Sequence, residues 1–123
     1  MPTISDAEMQ VMEVLWTAAP KTAAAIAGEL EGRTGWHRKT VNTLLSRLEK
    51  KGAVTAEPAR GGKRYSPCVA RETYTQSVAG AMVEQLFGGR VAPLVAHFAD
   101  ARGLSAEDVA DLEQLVKELK TDD

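Results

Sequence analysis

The chain has little cysteine, few aromatic residues and no long apolar run. Its 123 residues include one cysteine, Cys68, which cannot form an internal disulfide and so favours a reducing compartment. Aromatic residues make up 5% of the chain, so the core is expected to consist mainly of aliphatic side chains. No apolar run approaches the roughly 20 residues that span a bilayer, and the first residues do not resemble a secretion signal. We expect a cytoplasmic protein without a membrane partner.

Sequence patterns typical of catalytic and metal sites are also scarce. No nucleophile elbow, paired-carboxylate motif or phosphate-binding glycine loop occurs, so an enzyme is not expected. A soft metal site needs several thiolate or imidazole ligands, whereas Cys68, His37 and His97 lie far apart in the sequence. We expect no metal site and no cofactor for the protein's activity, with Cys68 partly buried and unreactive.

Charge is divided unevenly along the chain. The net charge is −2, yet residues 1–75 hold 11 Lys and Arg against 8 Asp and Glu, whereas residues 76–123 hold 4 against 9. The most basic segment, residues 33–64, holds 9 Lys and Arg against 2 Asp and Glu. Such a local patch can attract a polyanion although the whole chain is slightly negative.

Hydrophobic periodicity predicts three helices in the first half of the chain. The first covers residues 5–18 and begins with SDAE, the pattern of a capping box. A second covers residues 22–30 with Thr22 as its N-cap, and Gly32 and Gly35 are expected to break it. The third covers residues 38–52, where RKTVNTLLSRLEKKG places its apolar residues on one face and ends on a glycine suited to a helix terminus.

A basic hairpin is predicted to follow. Strands near residues 53–57 and 63–69 flank a turn at Gly61 and Gly62, and Pro58 indicates an edge strand or an irregular loop start. Three helices followed by a basic hairpin are typical of a winged helix-turn-helix domain.

The rest of the chain is predicted to be helical, with helices over residues 71–87 and 91–102 and a last helix from Ser105. We therefore expect a mainly α protein with a small β-hairpin wing, of the α+β class. A winged helix-turn-helix domain would occupy residues 1–70, and a helical region would occupy residues 71–123.

The third helix has the side chains that a recognition helix needs. In a helix-turn-helix, the N-terminal part of the second helix of the pair enters the major groove. There Asn suits adenine, Arg suits guanine, and cations bind phosphates. The RGGKR hairpin tip adds a second basic point. The predicted DNA-binding residues are Arg38, Lys39, Thr40, Asn42, Thr43, Ser46, Arg47, Arg60, Lys63 and Arg64.

Two alternatives explain the same charges without DNA. A basic helix face is often only solvated, and winged helices also serve as protein-interaction modules. The nucleic-acid interpretation is favoured because polar donors begin at the helix start and the hairpin tip adds a second cluster of cations.

Several segments resemble those of one protein family. SDAEMQVMEVLW, WHRKTVNTLLSRLEKKGAV and GKRYSP are similar to segments of the penicillinase-repressor family (BlaI/MecI), to which copper-responsive CopY repressors are related. The likeness spans nearly the whole chain, since LFGGRVAPLVAHFAD also resembles the family's dimerisation segment. It implies a bacterial homodimeric transcriptional repressor that binds palindromic double-stranded operator DNA. β-Lactamase genes or other stress genes are the implied targets.

The resemblance also bears on individual residues. It implies that Lys39, Thr40 and Thr43 face DNA, whereas Asn42 stands where well-known members hold Arg, so base preference there is expected to differ. The copper-responsive relatives have a C-terminal cysteine cluster that this chain lacks. A metal-responsive repressor is a further alternative because these relatives exist, but the missing cysteine cluster counts against it.

The resemblance further implies that the C-terminal helices form the dimer, and their apolar stripes need a partner. In well-known relatives a sensor-linked protease cuts between Asn and Phe in this region. The chain has His97 and Phe98 there, which is either a cleavage site or part of the dimer core. The predicted dimerisation residues are Met82, Leu86, Phe87, Leu94, Val95, Phe98, Val109, Leu112, Leu115, Val116 and Leu119.

Overall fold

The computed structural model describes residues 2–121, which form six helices and a small antiparallel sheet. The helices are α1 (Asp6–Thr17), α2 (Ala23–Thr34), α3 (Arg38–Lys50), α4 (Arg71–Phe87), α5 (Val91–Ala101) and α6 (Ala106–Thr121). The strands are β1 (Lys21–Thr22), β2 (Val54–Ala59) and β3 (Gly62–Pro67). This architecture confirms the predicted α+β class with a hairpin wing. None of the described helices is long and apolar enough to cross a membrane.

The chain divides into two compact units, Met1–Ser77 and Val78–Asp123, with the division inside α4. We call them the winged-helix unit and the C-terminal unit. The domain boundary predicted from the sequence lies between residues 70 and 71, at the start of α4, and stays a prediction. The outermost residues of the two predicted domains, 1, 122 and 123, lie outside the described residues.

The predicted capping box begins α1. The Ser5 hydroxyl accepts a hydrogen bond from the Glu8 backbone N–H at 3.2 Å, and the Glu8 carboxylate accepts one from the Ser5 N–H at 2.8 Å. Two backbone donors that the helix leaves without partners are thus satisfied. A cap of this kind stabilises a helix by about 1 kcal/mol.

Helix α2 is longer than the sequence predicted. Thr22 caps its start as expected, but the helix continues past Gly32 and ends only at Gly35, whose φ is +69°. An interior glycine costs a helix about 1 kcal/mol relative to alanine, which tertiary packing can offset. Ile26 and Leu30 are fully buried in this helix, so its packing against the core outweighs the cost of Gly32.

The sheet has the strand order β1-β3-β2, so both β1 and β2 are edge strands. Pro58 lies in β2 and confirms the predicted edge position, where a missing N–H is tolerated. In the hairpin, Ala59 pairs with Gly62, which makes Arg60 and Gly61 the turn. The turn therefore begins one residue earlier than the predicted Gly61-Gly62 turn, and Gly62 opens β3.

The described chain buries its apolar side chains in the winged-helix unit. Helices α1, α2 and α3 and the start of β2 supply most of this core, and α4 contributes one residue from its first turn. Its fully or almost fully buried members are Ile4, Val11, Met12, Val14, Leu15, Ile26, Leu30, Val41, Leu44, Leu45, Leu48, Ala53, Val54 and Tyr74. Among residues 78–121, by contrast, no side chain is buried.

Cys68 is exposed, so the expectation of a partly buried thiol is wrong. The residue follows β3 at a bend in the chain, between half-buried Pro67 and Val69. Its backbone N–H, rather than its side chain, is held in place by a 2.8 Å hydrogen bond to the Ala53 carbonyl.

Candidate nucleic-acid interface

Helix α3 presents one face to the core and the other to solvent. Its apolar residues recur at positions 41, 44, 45 and 48 and are all buried. Gly52, with a φ of +79°, follows the helix end, where a side chain would be strained. The buried stripe therefore fixes which polar side chains α3 offers to a partner.

The exposed face of α3 is built from two rows of residues spaced four apart. Residues on such a row are neighbours along the helix surface. One row consists of Arg38, Asn42 and Ser46, and the other of Lys39, Thr43 and Arg47; Thr40 lies at the start of the same face. Every one of these side chains is exposed, as are Arg60, Lys63 and Arg64 of the wing.

An open cleft of about 470 Å³ lies between the start of α3 and the wing. It brings together four of the residues that the sequence predicted to bind DNA: Arg38, Asn42, Arg60 and Lys63. Three of these are cations, and Asn42 adds an amide that both donates and accepts hydrogen bonds. A cleft of this composition suits a polyanion that also presents hydrogen-bonding groups, such as a nucleic acid.

Arg64 does not share this cleft. Side chains alternate across a strand, so Lys63 and Arg64 lie on opposite faces of β3. The cleft is lined by Lys63 and Tyr65, which are two residues apart, and Arg64 is paired across the hairpin with Glu57. The structure thus separates Arg64 from the other predicted cations of the wing.

The cleft also contains residues that the sequence did not assign to it. Tyr65 lies on the same face of β3 as Lys63, and Thr22 lines the cleft from the start of α2, together with Ala23 and Ala24. The pairing of β1 with β3, which places Lys21 opposite Tyr65, brings the start of α2 next to the wing. A strand of two residues is too short to show a periodic pattern, so the sequence gives no sign of this pairing. The sequence predicts the role of Thr22 as a helix cap but not its position in the cleft.

The ammonium of Lys51, just after α3, is directed toward the first turn of α1 and the residues before it. Its Nζ lies 2.5 Å from Glu8 Oε1 and 2.8 Å from the carbonyl oxygen of Thr3. Burial by itself raises the pKa of Glu8, but hydrogen bonds from Lys51 and Ser5 outweigh it and hold that pKa below its ordinary value. Lys51 therefore neutralises a buried carboxylate instead of extending the exposed basic face.

The structure groups no metal ligands in the part of the chain that it describes. Clusters of three or more His, Cys, Asp or Glu side chains placed to hold an ion do not occur among residues 2–121.

Comparison with known proteins places the chain in a family. Residues 4–118 match the family model described as "Penicillinase repressor". The penicillinase repressor of Bacillus licheniformis is 30% identical over 120 residues, which cover 98% of this chain and 94% of that protein. The methicillin resistance regulatory protein MecI of Mammaliicoccus sciuri is 26% identical over 92% of both chains.

A solved structure resembles the winged-helix unit. The monomeric form of BlaI from Bacillus licheniformis, in complex with the blaP half-operator, matches with a TM-score of 0.52 and 36% identity. The match covers 59% of this chain and 89% of that one. Together with the family match over most of the sequence, it confirms the resemblance seen in the residues. The chain belongs to the penicillinase repressor family, a family of transcriptional repressors and not of enzymes.

Proposed function

We propose that this repressor binds a palindromic operator as a homodimer, with the start of each α3 in a major groove and each wing on the adjacent backbone. The proposal rests above all on the cleft in which Arg38, Asn42, Arg60 and Lys63 meet. A duplex groove presents phosphates on its rim and base edges on its floor, and this cleft offers both cations and an amide. The BlaI relative solved with a half-operator supports the choice of DNA as the ligand.

The two rows on α3 divide the expected contacts. Arg38 and Asn42 line the cleft between helix and wing, whereas Lys39 and Arg47 lie on the neighbouring row. Cations on phosphates supply affinity that falls with salt, and side chains on base edges supply sequence preference. We assign sequence preference chiefly to Asn42 and affinity to the surrounding cations.

The C-terminal unit supports the homodimer. Three helical segments that bury no side chain among residues 78–121 cannot be stable by apolar packing alone. The large hydrophobic side chains left exposed in the described chain all belong to this unit: Val78, Met82, Leu86, Val91, Phe98, Val109, Leu115, Val116 and Leu119. The remaining predicted dimerisation residues, Phe87, Leu94, Val95 and Leu112, are half-buried. A second copy offers the same apolar face and closes the assembly with two-fold symmetry.

The charge division fits such a dimer. The acidic C-terminal half would stay away from DNA, and the basic residues would lie on the surface that meets it. Two-fold symmetry would place the two half-sites about one helical turn of DNA, or a multiple of it, apart.

The regulated genes are proposed by likeness to the relatives: β-lactamase genes or other stress genes. Sequencing of genomic fragments that the purified protein captures tests the operator and the targets together. We expect one inverted repeat with a constant centre-to-centre spacing upstream of a small set of genes. Enrichment of sequences without any inverted repeat would contradict the palindromic operator.

We propose that derepression follows from loss of the dimer. A separated subunit binds only one half-site and loses the affinity that two linked subunits gain on a full operator. His97 and Phe98 lie in α5, and their rings are 5.8 Å apart. A protease needs extended substrate, so a sensor-linked protease would have to unwind α5 locally before it cut there. Incubation of the repressor with extract from induced host cells tests this route. Release of DNA by intact repressor would exclude cleavage as the cause.

A further inference from the structure

The segment before α1 is bonded to two distant parts of the winged-helix unit. The ammonium of Lys51, at the end of α3, donates a 2.8 Å hydrogen bond to the Thr3 carbonyl. The hydroxyl of Tyr74, in the first part of α4, accepts a hydrogen bond from the Ile4 N–H at 3.3 Å and donates one to the Ile4 carbonyl at 3.5 Å. Residues 3–5, which we call the N-terminal strap, therefore contact both the recognition helix and the helix that leads to the C-terminal unit.

The contacts of Tyr74 are shielded from water. Ile4 is 7% exposed and Tyr74 is 8% exposed. Hydrogen bonds in such surroundings are electrostatically stronger than in water, and a buried polar group left without its partner is costly. The Tyr74 hydroxyl is thus a specific anchor for the strap rather than a surface contact that solvent could replace.

Other contacts hold the same turn of α4 against α1. The Trp16 indole N–H donates a 2.8 Å hydrogen bond to the Val69 carbonyl, and its ring lies 6.0 Å from the Tyr74 ring. Arg71 stacks 5.6 Å from the centre of the Trp16 ring and is 2.6 Å from a carboxylate oxygen of Glu13. These contacts hold the first turn of α4 against α1. The N-terminal strap adds a connection from that turn to the end of α3.

We infer that the N-terminal strap is a positioning element that sets the direction in which α4 leaves the winged-helix unit relative to α3. The inference rests on the proposed homodimer. Two linked recognition helices gain affinity only if the connection between them holds the separation that the operator requires. A strap that stiffens the start of α4 raises this gain in operator affinity without contacting DNA. It also narrows the range of half-site spacings that the dimer can bind.

The test uses Tyr74→Phe in the full-length protein. The substitution removes the hydroxyl but keeps the ring that packs against Trp16. Binding is measured to a duplex with one half-site and to duplexes with two half-sites at several spacings, and dimerisation is measured by sedimentation. We expect half-site affinity to change by less than about 2-fold and affinity for the natural spacing to fall about 10-fold. Dimerisation should be unchanged, and preference among spacings should weaken.

Lys51→Met provides a second route to the same strap, and Lys50→Met is its matched control. Lys50 is the exposed neighbour at the end of α3 and carries the same charge. Lys51→Met should lower the ratio of full-site to half-site affinity, whereas Lys50→Met should leave that ratio within about 2-fold. The double variant Lys51→Met/Tyr74→Phe should lose less than the product of the two single losses, because both substitutions release one segment.

Two results separate the strap from the dimer proposal. If the wild-type protein favours the full site but both variants keep its full-site to half-site ratio and spacing preference, the strap has no positioning role. If the wild-type protein itself binds full and half sites equally, or does not dimerise, the proposed homodimer fails. Should Tyr74→Phe fail to fold, as judged by circular dichroism, the result of Lys51→Met decides the inference.

Discussion

The ammonium of Lys51 lies 2.5 Å from Glu8 Oε1, which joins the end of α3 to the first turn of α1. The Glu8 side chain is 1% exposed, whereas that of Lys51 is 37% exposed. A buried carboxylate of this kind is tolerated only when it is paired and hydrogen-bonded. Glu8 therefore closes the capping box of α1 and also holds the end of α3 in place through Lys51.

Removal of the Lys51 ammonium should destabilise the winged-helix unit. Glu8 Oε2 is already buried without a hydrogen-bond partner among the described residues, so Lys51→Met leaves the carboxylate without its counter-charge. We expect a loss of about 1 to 3 kcal/mol in the free energy of unfolding, measured by urea denaturation at neutral pH. Lys50→Met is the control and should change it by less than about 0.5 kcal/mol. Equal losses in the two variants would show that the internal ion pair contributes nothing.

Stability should fall in acid partly through Glu8. Its pKa in the folded protein lies below the ordinary value of 4.5, so the folded state favours the ionised carboxylate. The resulting stabilisation is fully present above that ordinary value and is lost as the pH falls through the lower pKa of the folded state. Urea denaturation of the wild type and Glu8→Gln from pH 7 down to about pH 3 measures the difference. The difference in free energy of unfolding between the wild type and Glu8→Gln should shrink as the pH falls. A difference that stays constant over this range would contradict a lowered pKa of Glu8.

The two neighbouring cations of β3 should differ in their effect on DNA binding. Lys63 lines the cleft, whereas Arg64 lies on the other face of the hairpin opposite Glu57. Lys63→Ala should weaken operator binding by about 5- to 10-fold, in line with loss of one phosphate contact per subunit, and Arg64→Ala by less than about 2-fold. Fluorescence anisotropy with a labelled operator measures both. A larger loss for Arg64→Ala would place the other face of the wing against DNA.

The apolar face of the C-terminal unit should be essential for dimerisation but not for the fold of the winged-helix unit. Leu119 is 66% exposed, so Leu119→Asp should raise the dimer dissociation constant at least about 10-fold without unfolding that unit. Sedimentation equilibrium measures the change, and Lys117→Ala on the same helix is the control. Added salt should not weaken the wild-type dimer, because apolar burial holds it and the C-terminal half is acidic. Unchanged dimerisation of Leu119→Asp would move the interface elsewhere.

Local sequence patterns were sufficient for the elements that depend on near neighbours. The capping box of Ser5 and Glu8 and the apolar stripe of α3 follow from spacings of three and four residues, and both are confirmed. The extension of α2 past Gly32 could not be predicted from those spacings. It depends on packing against other helices, which outweighs the poor helix propensity of glycine.

Contacts between distant residues were not predictable. Lys51 meets Glu8 across 43 positions of sequence, and Tyr74 meets Ile4 across 70. In the sequence, Lys51 was one more cation of a basic helix and Glu8 was only a capping residue. The predicted DNA-binding set consequently mixed Arg64 with the cations of the cleft, because only the strand register tells the two faces of the wing apart.

The salt dependence of operator affinity tests the central claim most directly, namely that the exposed cationic face of α3 binds duplex DNA. Plots of log affinity against log salt concentration are compared for the wild type, Lys39→Ala and Arg47→Ala. The wild-type line should fall steeply, and each variant should bind more weakly at low salt. Each slope should be shallower by about 1.8, because a dimer on a full operator loses one phosphate contact per subunit. Dimerisation should be unchanged in both variants. Affinities and slopes equal to those of the wild type in both would contradict the claim.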